Sequence, residues 1–172
     1  MPSEHTVRRR VQFYETDAAG IVHFSWFFRY MEEAEHAMWR EAGLSIHPEK
    51  SDIGWPRVGA SCEFHRALKF EQEFDVTIRV SELTRRTISY TCTMTQDGQR
   101  IATGTLRIAC VSKSPDGTMK SVEIPEEIAM RFKPSDSPDP RSPAPDLIPV
   151  SAGRPTTRSS APSVAMTAAP CR

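Results

Sequence analysis

The stretch FYETDAAGIVHFSWFFRYMEEAE, residues 13–35, begins like a β-strand and ends like a helix. It follows an alternating run, residues 6–13, that is typical of a short strand. A single carboxylate, Asp17, and the small-residue turn Ala18-Ala19-Gly20 join the two halves. The stretch therefore predicts a strand that enters one long helix through a tight turn carrying an acidic side chain.

The helix is predicted over residues 25–42, with Ser25 as N-cap and Gly43 as the C-terminal stop. Its apolar residues recur at the spacing of one helix face, which is typical of a helix packed on a sheet. They are Trp26, Phe27, Tyr30, Met31, Ala34, Ala37, Met38 and Leu44. Three carboxylates of this helix, Glu32, Glu33 and Glu35, are expected at solvated, intersubunit or pocket-rim positions.

Four further strand-like runs follow the helix, at residues 56–67, 73–83, 87–96 and 100–112. The pair Asp97-Gly98 predicts a tight hairpin, Asp116-Gly117 predicts another turn, and Pro125 opens a short last helix. The order strand, long helix, antiparallel meander indicates an α+β protein in which one curved sheet wraps a central helix, the hot-dog arrangement. Exposed sheet edges then favour a homodimer or a homotetramer.

Composition limits the function classes. The chain has 172 residues, of which 22 are basic and 22 acidic, so its formal net charge of zero gives no reason to expect nucleic acid as partner. No run approaches the roughly 18–20 apolar residues of a membrane span, and no signal sequence is expected because the first residues lack an apolar stretch. The four cysteines form no CxxC pair and are expected to be core thiols of a cytoplasmic protein.

The composition changes near Lys133. Residues 1–133 are expected to form the folded domain. Residues 134–172 are rich in proline, serine and alanine and lack aromatic side chains. Such a segment buries too little apolar surface to offset its ordering entropy, so we predict a disordered tail.

The residues TDAAGIV before an aromatic helix start resemble the signature of the 4-hydroxybenzoyl-CoA thioesterase family of hot-dog proteins. The downstream stretches GWPRVGASCEFHRALKF, LTRRTIS and VEIPEEI are similar to later elements of the same family. The resemblance implies an acyl-CoA thioesterase in which Asp17 is the catalytic residue. It also implies that Gly20 and Val22 shape the pocket, and that Arg85, Arg86 and Lys120 contact the phosphates of coenzyme A.

Hydrolysis of a thioester fits the residues at this turn. A helix N-terminus offers unpaired N–H groups, and one of these, near His23 or Phe24, would polarise the thioester carbonyl. Asp17 would then act as general base on water or attack the carbonyl directly. His23 and Tyr14 are candidate supporting groups. No metal or other cofactor is expected.

Each of these residues also has a plainer interpretation. Asp17 would then be a turn or capping residue, His23 a half-exposed residue at the helix start, and Tyr14 a packing residue. The basic residues would be solvated charges. Three functions stay open on this basis: a thioesterase, a hot-dog module that binds acyl-CoA without hydrolysing it, and a hot-dog dehydratase, whose Asp–His motif we do not find.

Overall fold

The protein is described by a computed structural model that covers residues 3–49 and 51–135. Its elements are β1 (Glu4–Arg10), a 3₁₀ turn (Phe13–Glu15), α1 (Phe24–Glu41), β2 (Ile53–Gly54), β3 (Arg57–Phe64), β4 (Glu73–Leu83), β5 (Thr87–Gln96), β6 (Gln99–Ala109), β7 (Val111–Lys113), β8 (Met119–Ser121) and α2 (Glu126–Ala129). Of the predicted tail, all but Pro134 and Ser135 lies outside the described residues. No helix among the described residues is long and apolar enough to cross a bilayer.

Five antiparallel strands form the main sheet in the order β1-β4-β5-β6-β3, and β2, β7 and β8 form a small second sheet. The predicted meander is right for β4, β5 and β6, but β3 pairs with β6 at the far edge instead of with its sequence neighbour β4. The β3–β4 connection therefore crosses the end of the sheet, where Leu68 O accepts a hydrogen bond from Val22 N–H at 2.8 Å. This crossing places the connection beside the start of α1.

The hairpin between β5 and β6 forms as predicted. Asp97 and Gly98 both have positive φ, 49° and 74°. This pair of left-handed residues is what a two-residue turn needs to match the right-handed twist of the flanking strands.

The core lies between α1 and the inner face of the sheet. On β4 the residues Phe74, Val76, Ile78 and Val80 are all buried, and they alternate with more exposed residues, as expected for a half-buried strand. Gly104 allows the close approach of α1 and of the neighbouring strand β3, because a Cβ there would lie 2.5 Å from Met31 Sδ on the helix and 2.7 Å from Ser61 O on the strand. The arrangement confirms the α+β hot-dog fold.

The first strand is shorter than predicted. It ends at Arg10, and Phe13 belongs to the 3₁₀ turn, where its ring is largely exposed. The reason is a buried polar contact: the Glu15 carboxylate accepts the Gln12 N–H at 2.8 Å and bends the chain away from the sheet. The turn therefore begins before the strand pattern in the sequence runs out.

Glu35 corrects the expectation of a solvated or rim carboxylate. It is fully buried, and Oε2 accepts a hydrogen bond from Arg57 Nη2 at 2.7 Å. Burial raises the pKa of Glu35 above its ordinary value, although Arg57 opposes the shift. In the sequence Glu35 looks like any other polar helix residue, and its burial follows from the way β3 closes over that side of α1.

Replacing Arg57 with alanine is expected to lower the free energy of unfolding by about 2 kcal/mol at neutral pH, because Glu35 is left buried without its cation. The penalty is limited because Glu35 can take up a proton. Its folded pKa lies above the unfolded one, so the folded state holds a proton that the unfolded chain has lost. The destabilisation therefore shrinks as the pH falls from neutral toward the ordinary pKa range of a glutamate.

Urea unfolding across this pH range measures the effect. Arg107→Ala is the control, since Arg107 is exposed on the outer sheet face and its loss should cost less than about 0.5 kcal/mol. An Arg57→Ala variant with wild-type stability at neutral pH would show that the pair contributes nothing net.

Candidate active site

A cavity of about 390 Å³ opens between the start of α1 and the β3–β4 connection. Most of its lining is apolar, and Asp17 and Arg66 are its charged residues. The lining residues are Asp17, Ile21, Val22, Phe24, Phe27, Phe64, His65, Arg66, Ala67 and Leu68. Three predicted site residues, Asp17, Val22 and Phe24, therefore share one pocket.

Asp17 is half-buried at the edge of this cavity and closes its own turn. Its Oδ1 accepts the Ala19 N–H at 2.8 Å and the Ile21 N–H at 3.5 Å, and its N–H donates to Ile21 O at 2.9 Å. Gly20 has a φ of 74°, which makes the turn accessible without strain. Among the described residues no donor is paired with Oδ2, so this oxygen is available to a bound molecule.

The first turn of α1 shows which backbone N–H is available. His23 is the N-cap in place of the predicted Ser25: its Nδ1 accepts the Ser25 N–H at 3.4 Å, and its carbonyl accepts the Trp26 N–H at 3.0 Å. The His23 N–H donates to Glu15 O at 2.9 Å. Within the described part of the chain, the Phe24 N–H is left as the first-turn donor without an acceptor.

The imidazole of His23 is held by the helix start and is absent from the pocket lining. Besides the cap, Nδ1 lies 2.8 Å from Ser25 Oγ, and the ring stacks on Phe24 with a centroid distance of 4.4 Å. The capping contact accounts for a polar residue at this position. A part for His23 in chemistry stays a prediction.

Tyr14 is absent from the lining as well. Its ring is 69 % exposed and packs against Trp26 at a centroid distance of 5.5 Å. In this conformation the structure pairs its hydroxyl with no group of Asp17, and its role stays a prediction.

The three predicted phosphate ligands lie at the other end of the sheet from the pocket of the same chain. Arg85 pairs with Glu123 at 2.7 Å, Arg86 O accepts the Cys110 N–H, and Lys120 stands on β8. The pocket residue Phe64 is beside Ala102 on β6, whereas Thr87, next to Arg86, is beside Ala109. That separation is roughly 20 Å of strand. One chain does not bring these cations to Asp17.

Several residues that line the pocket were not predicted from the sequence. They are His65, Arg66 and Leu68 of the β3–β4 connection, which directly follow Phe64, the last residue of β3. Phe64, which the sequence offers as either a pocket or a core residue, packs edge-on against Phe27 at 5.0 Å. The only sequence signal for them is their place after a strand whose pairing partner is not the next strand. That partner is set by sheet order, which local patterns do not encode.

The thiols offer no competing nucleophile in the described residues. Cys92 and Cys110 are buried and Cys62 is partly buried, and burial raises the pKa of Cys62 to about 11. Residues 3–49 and 51–135 also contain no group of three His, Cys, Asp or Glu side chains placed to hold a metal ion. Asp17 and Phe24, whose N–H has no acceptor in the described residues, both line the cavity.

Several known proteins are similar to this chain in sequence or in structure. A protein of Aquifex aeolicus (strain VF5), named "Putative esterase", is 36 % identical over 70 % of this chain and 91 % of its own. An acyl-CoA thioesterase of Haemophilus influenzae is 24 % identical over 72 % of this chain and 90 % of its own. The solved structure of a gentisyl-coenzyme A thioesterase is 27 % identical, with a TM-score of 0.63 over 74 % of this chain and 98 % of that one.

The match to a family model covers the part of the chain that carries the turn, the helix and the sheet. The model of the thioesterase-like superfamily matches residues 11–132, which include Asp17, Phe24 and the β3–β4 connection. This agrees with the resemblance carried by TDAAGIV, and the chain belongs to the thioesterase-like superfamily of hot-dog proteins.

Proposed function

We propose that the protein hydrolyses the thioester bond of a small acyl- or aroyl-CoA. The observation that carries the proposal is that Asp17 and Phe24, whose N–H has no acceptor in the described residues, line one largely apolar cavity. An apolar pocket with a few convergent polar groups is the usual form of a small-molecule site. The names of the relatives, an acyl-CoA thioesterase and a gentisyl-CoA thioesterase, agree with this chemistry.

The reaction needs two things from the chain. The thioester carbonyl oxygen accepts the Phe24 N–H, which stabilises the oxyanion as it forms. Asp17 Oδ2 takes a proton from the attacking water, or attacks the carbonyl carbon to give an anhydride that water then opens. In both routes the C–S bond breaks, the acyl group leaves as the acid, and the thiolate of coenzyme A takes up a proton.

Release of thiol from a panel of acyl-CoA esters tests the function. The panel holds short-chain, medium-chain, benzoyl and hydroxybenzoyl esters, and the thiol is trapped with a chromogenic disulfide. We expect saturable release from at least one ester well above the rate without protein. Tight binding of the same esters with no release above that background would support a non-hydrolytic acyl-CoA binding module and refute the enzyme.

We propose that the active unit is a homodimer joined along β3. The two edge strands differ: β1 carries Glu4, Arg8 and Arg10, which discourage pairing, whereas β3 carries small residues and exposed Val58 and Phe64.

Sedimentation velocity tests this interface, and it should show twice the mass of one chain. Near a two-fold axis on β3, Ala60→Lys sets like charges against each other and should give monomers. Thr6→Lys, on the opposite edge strand β1, should leave the dimer intact. If Ala60→Lys still sediments as a dimer, this interface is refuted.

Antiparallel pairing of β3 with its copy would also explain the distant cations. It places the pocket end of one sheet beside the opposite end of the other, so Arg85 and Arg86 of the partner subunit approach the mouth of the pocket, with Lys120 on the same side. We propose that these residues meet the phosphates of coenzyme A, since guanidinium groups bind phosphate oxygens in pairs. Comparison of acyl-CoA with the matching acyl-pantetheine, which lacks the nucleotide phosphates, would reveal the contact as a lower KM for the CoA ester.

Every group used in this mechanism comes from the polypeptide, and we propose that the reaction needs no cofactor. We place the protein in the cytoplasm, where its thiols would stay reduced.

A further inference from the structure

A second carboxylate, Glu15, lies two residues before Asp17 and is fully buried. Its Oε1 accepts a hydrogen bond from Arg9 Nη2 at 2.9 Å. Its Oε2 accepts the Gln12 N–H at 2.8 Å and the Tyr30 hydroxyl at 2.7 Å. A buried carboxylate with three donors is a costly arrangement that persists only when its contacts are complete.

These contacts tie together the elements that carry the two reactive groups. Arg9 belongs to β1, and Tyr30 belongs to α1, the helix that begins at Phe24. The backbone carbonyl of Glu15 accepts the His23 N–H at 2.9 Å, directly before that helix. Only Thr16 separates Glu15 from Asp17, and Thr16 pairs with Val22 in an isolated antiparallel β-bridge.

The ion pair is reinforced from the helix side. The Arg9 guanidinium lies over the Tyr30 ring at 4.9 Å and also pairs with Glu33. Burial, with the Glu15 carboxylate, raises the pKa of Tyr30, so its hydroxyl remains a donor to Glu15. The carboxylate is therefore held in one position relative to both β1 and α1.

We propose that Glu15 is a positioning residue, whose buried carboxylate fixes Asp17 relative to the start of α1 and thereby to the Phe24 N–H. The inference rests on the proposed function for its chemical meaning. Glu15 touches no substrate, because it has no exposed surface. Its effect passes through the short segment to Asp17 and through its carbonyl to His23. A misplacement of about 1 Å of a positioned group can lower the rate by about 100-fold.

Glu15→Gln tests the proposal with little change of shape. The amide presents an N–H₂ group to a set of donors, so the network loses contacts without losing volume. We expect kcat to fall about tenfold while KM stays within about twofold, since the pocket walls are unaltered. Tyr30→Phe removes one donor and keeps the ring, and should lower kcat about threefold. It serves as the second variant if Glu15→Gln folds poorly.

Two further measurements separate positioning from stability alone. Tyr90→Phe is the matched control, because it also removes a buried side-chain hydrogen bond, the one that the Tyr90 hydroxyl accepts from Trp39 Nε1 at 3.0 Å, but Tyr90 is absent from the pocket lining and from β3, and its kcat should be that of the wild type. In an Asp17→Asn background Glu15→Gln should change the residual rate by less than about threefold, because the positioned group is already gone. Equal effects of Glu15→Gln in both backgrounds, or an equal loss of kcat in Tyr90→Phe, would overturn the inference.

Amide hydrogen exchange gives a readout that does not depend on turnover. Exchange at Thr16, Val22 and His23 should become at least about tenfold faster in Glu15→Gln and stay unchanged in Tyr90→Phe. If the wild type hydrolyses no thioester, the proposed function fails, and exchange alone then judges whether Glu15 holds this segment. Unchanged exchange in Glu15→Gln would refute the positioning role in either case.

Discussion

Replacing Phe24 with proline lowers kcat by about 10²- to 10³-fold, the usual loss when one oxyanion donor is removed. Proline has no N–H, so the variant deletes the one first-turn donor that we assign to the thioester carbonyl. The fold should tolerate the change because Phe24 is the first residue of α1, where proline is favoured. His23 already has a ψ of 136°, the extended region that a residue before proline prefers.

Phe24→Ala is the matched control for this experiment. It removes the same aromatic ring, which is 60 % exposed, and keeps the backbone N–H. The relevant quantity is the ratio of kcat between Phe24→Ala and Phe24→Pro. Circular dichroism and thermal unfolding establish that α1 is intact in both variants. Equal kcat values in the two variants would mean that the carbonyl is polarised by another group.

Replacing Asp17 with asparagine or alanine lowers kcat by at least about 100-fold, by analogy with the loss of a positioned general base. The two variants separate chemistry from structure. Asparagine keeps a side-chain oxygen to accept the Ala19 and Ile21 N–H groups, so the turn can remain closed, but it cannot take a proton. Alanine removes both the acceptor and the base.

Steady-state thiol release on the best ester of the panel measures the change, and acyl-CoA binding should persist in Asp17→Asn. Asp75→Asn is the control: this carboxylate pairs with Arg8 on the outer sheet face, away from the cavity, and its loss should leave kcat unaltered. An Asp17→Asn variant with wild-type turnover would remove Asp17 from the mechanism and leave it as a turn residue. A large loss of kcat in Asp17→Ala, with none in Asp17→Asn, would mean that Asp17 only holds the turn in shape.

Local patterns in the sequence were sufficient for most of the secondary structure. The runs predicted at residues 73–83 and 87–96 are β4 and β5 as observed, and the apolar face of the predicted helix is the face that α1 buries. Strand alternation and helical spacing are short-range signals, so they can be read without knowing which element a strand or helix packs against. The helix start was placed one residue late and its N-cap two residues late, at Ser25 instead of His23, because a histidine can cap through a ring nitrogen although serine is the commoner cap.

What the local patterns could not give is the environment of single charged residues. Glu15 and Glu35 look like ordinary surface residues in the sequence, yet both are fully buried in ion pairs whose partners are distant in sequence or on another element. Arg66 joined the pocket only because β3 lies at the far edge of the sheet. Sheet order depends on long-range packing, and a one-dimensional pattern carries no information on it.

The sequence by itself determined that one carboxylate stands in a tight turn before a helix that a sheet must cover, because turn residues and periodicity are written locally. Only the tertiary structure decided that the Phe24 N–H, and not that of His23, is left for a ligand. That choice depends on which backbone groups meet across the fold: Glu15 O accepts the His23 N–H, the His23 side chain accepts the Ser25 N–H, and the His23 carbonyl accepts the Trp26 N–H. Hydrogen-bond partners of this kind are set by three-dimensional contact, which the amino-acid order implies but does not display.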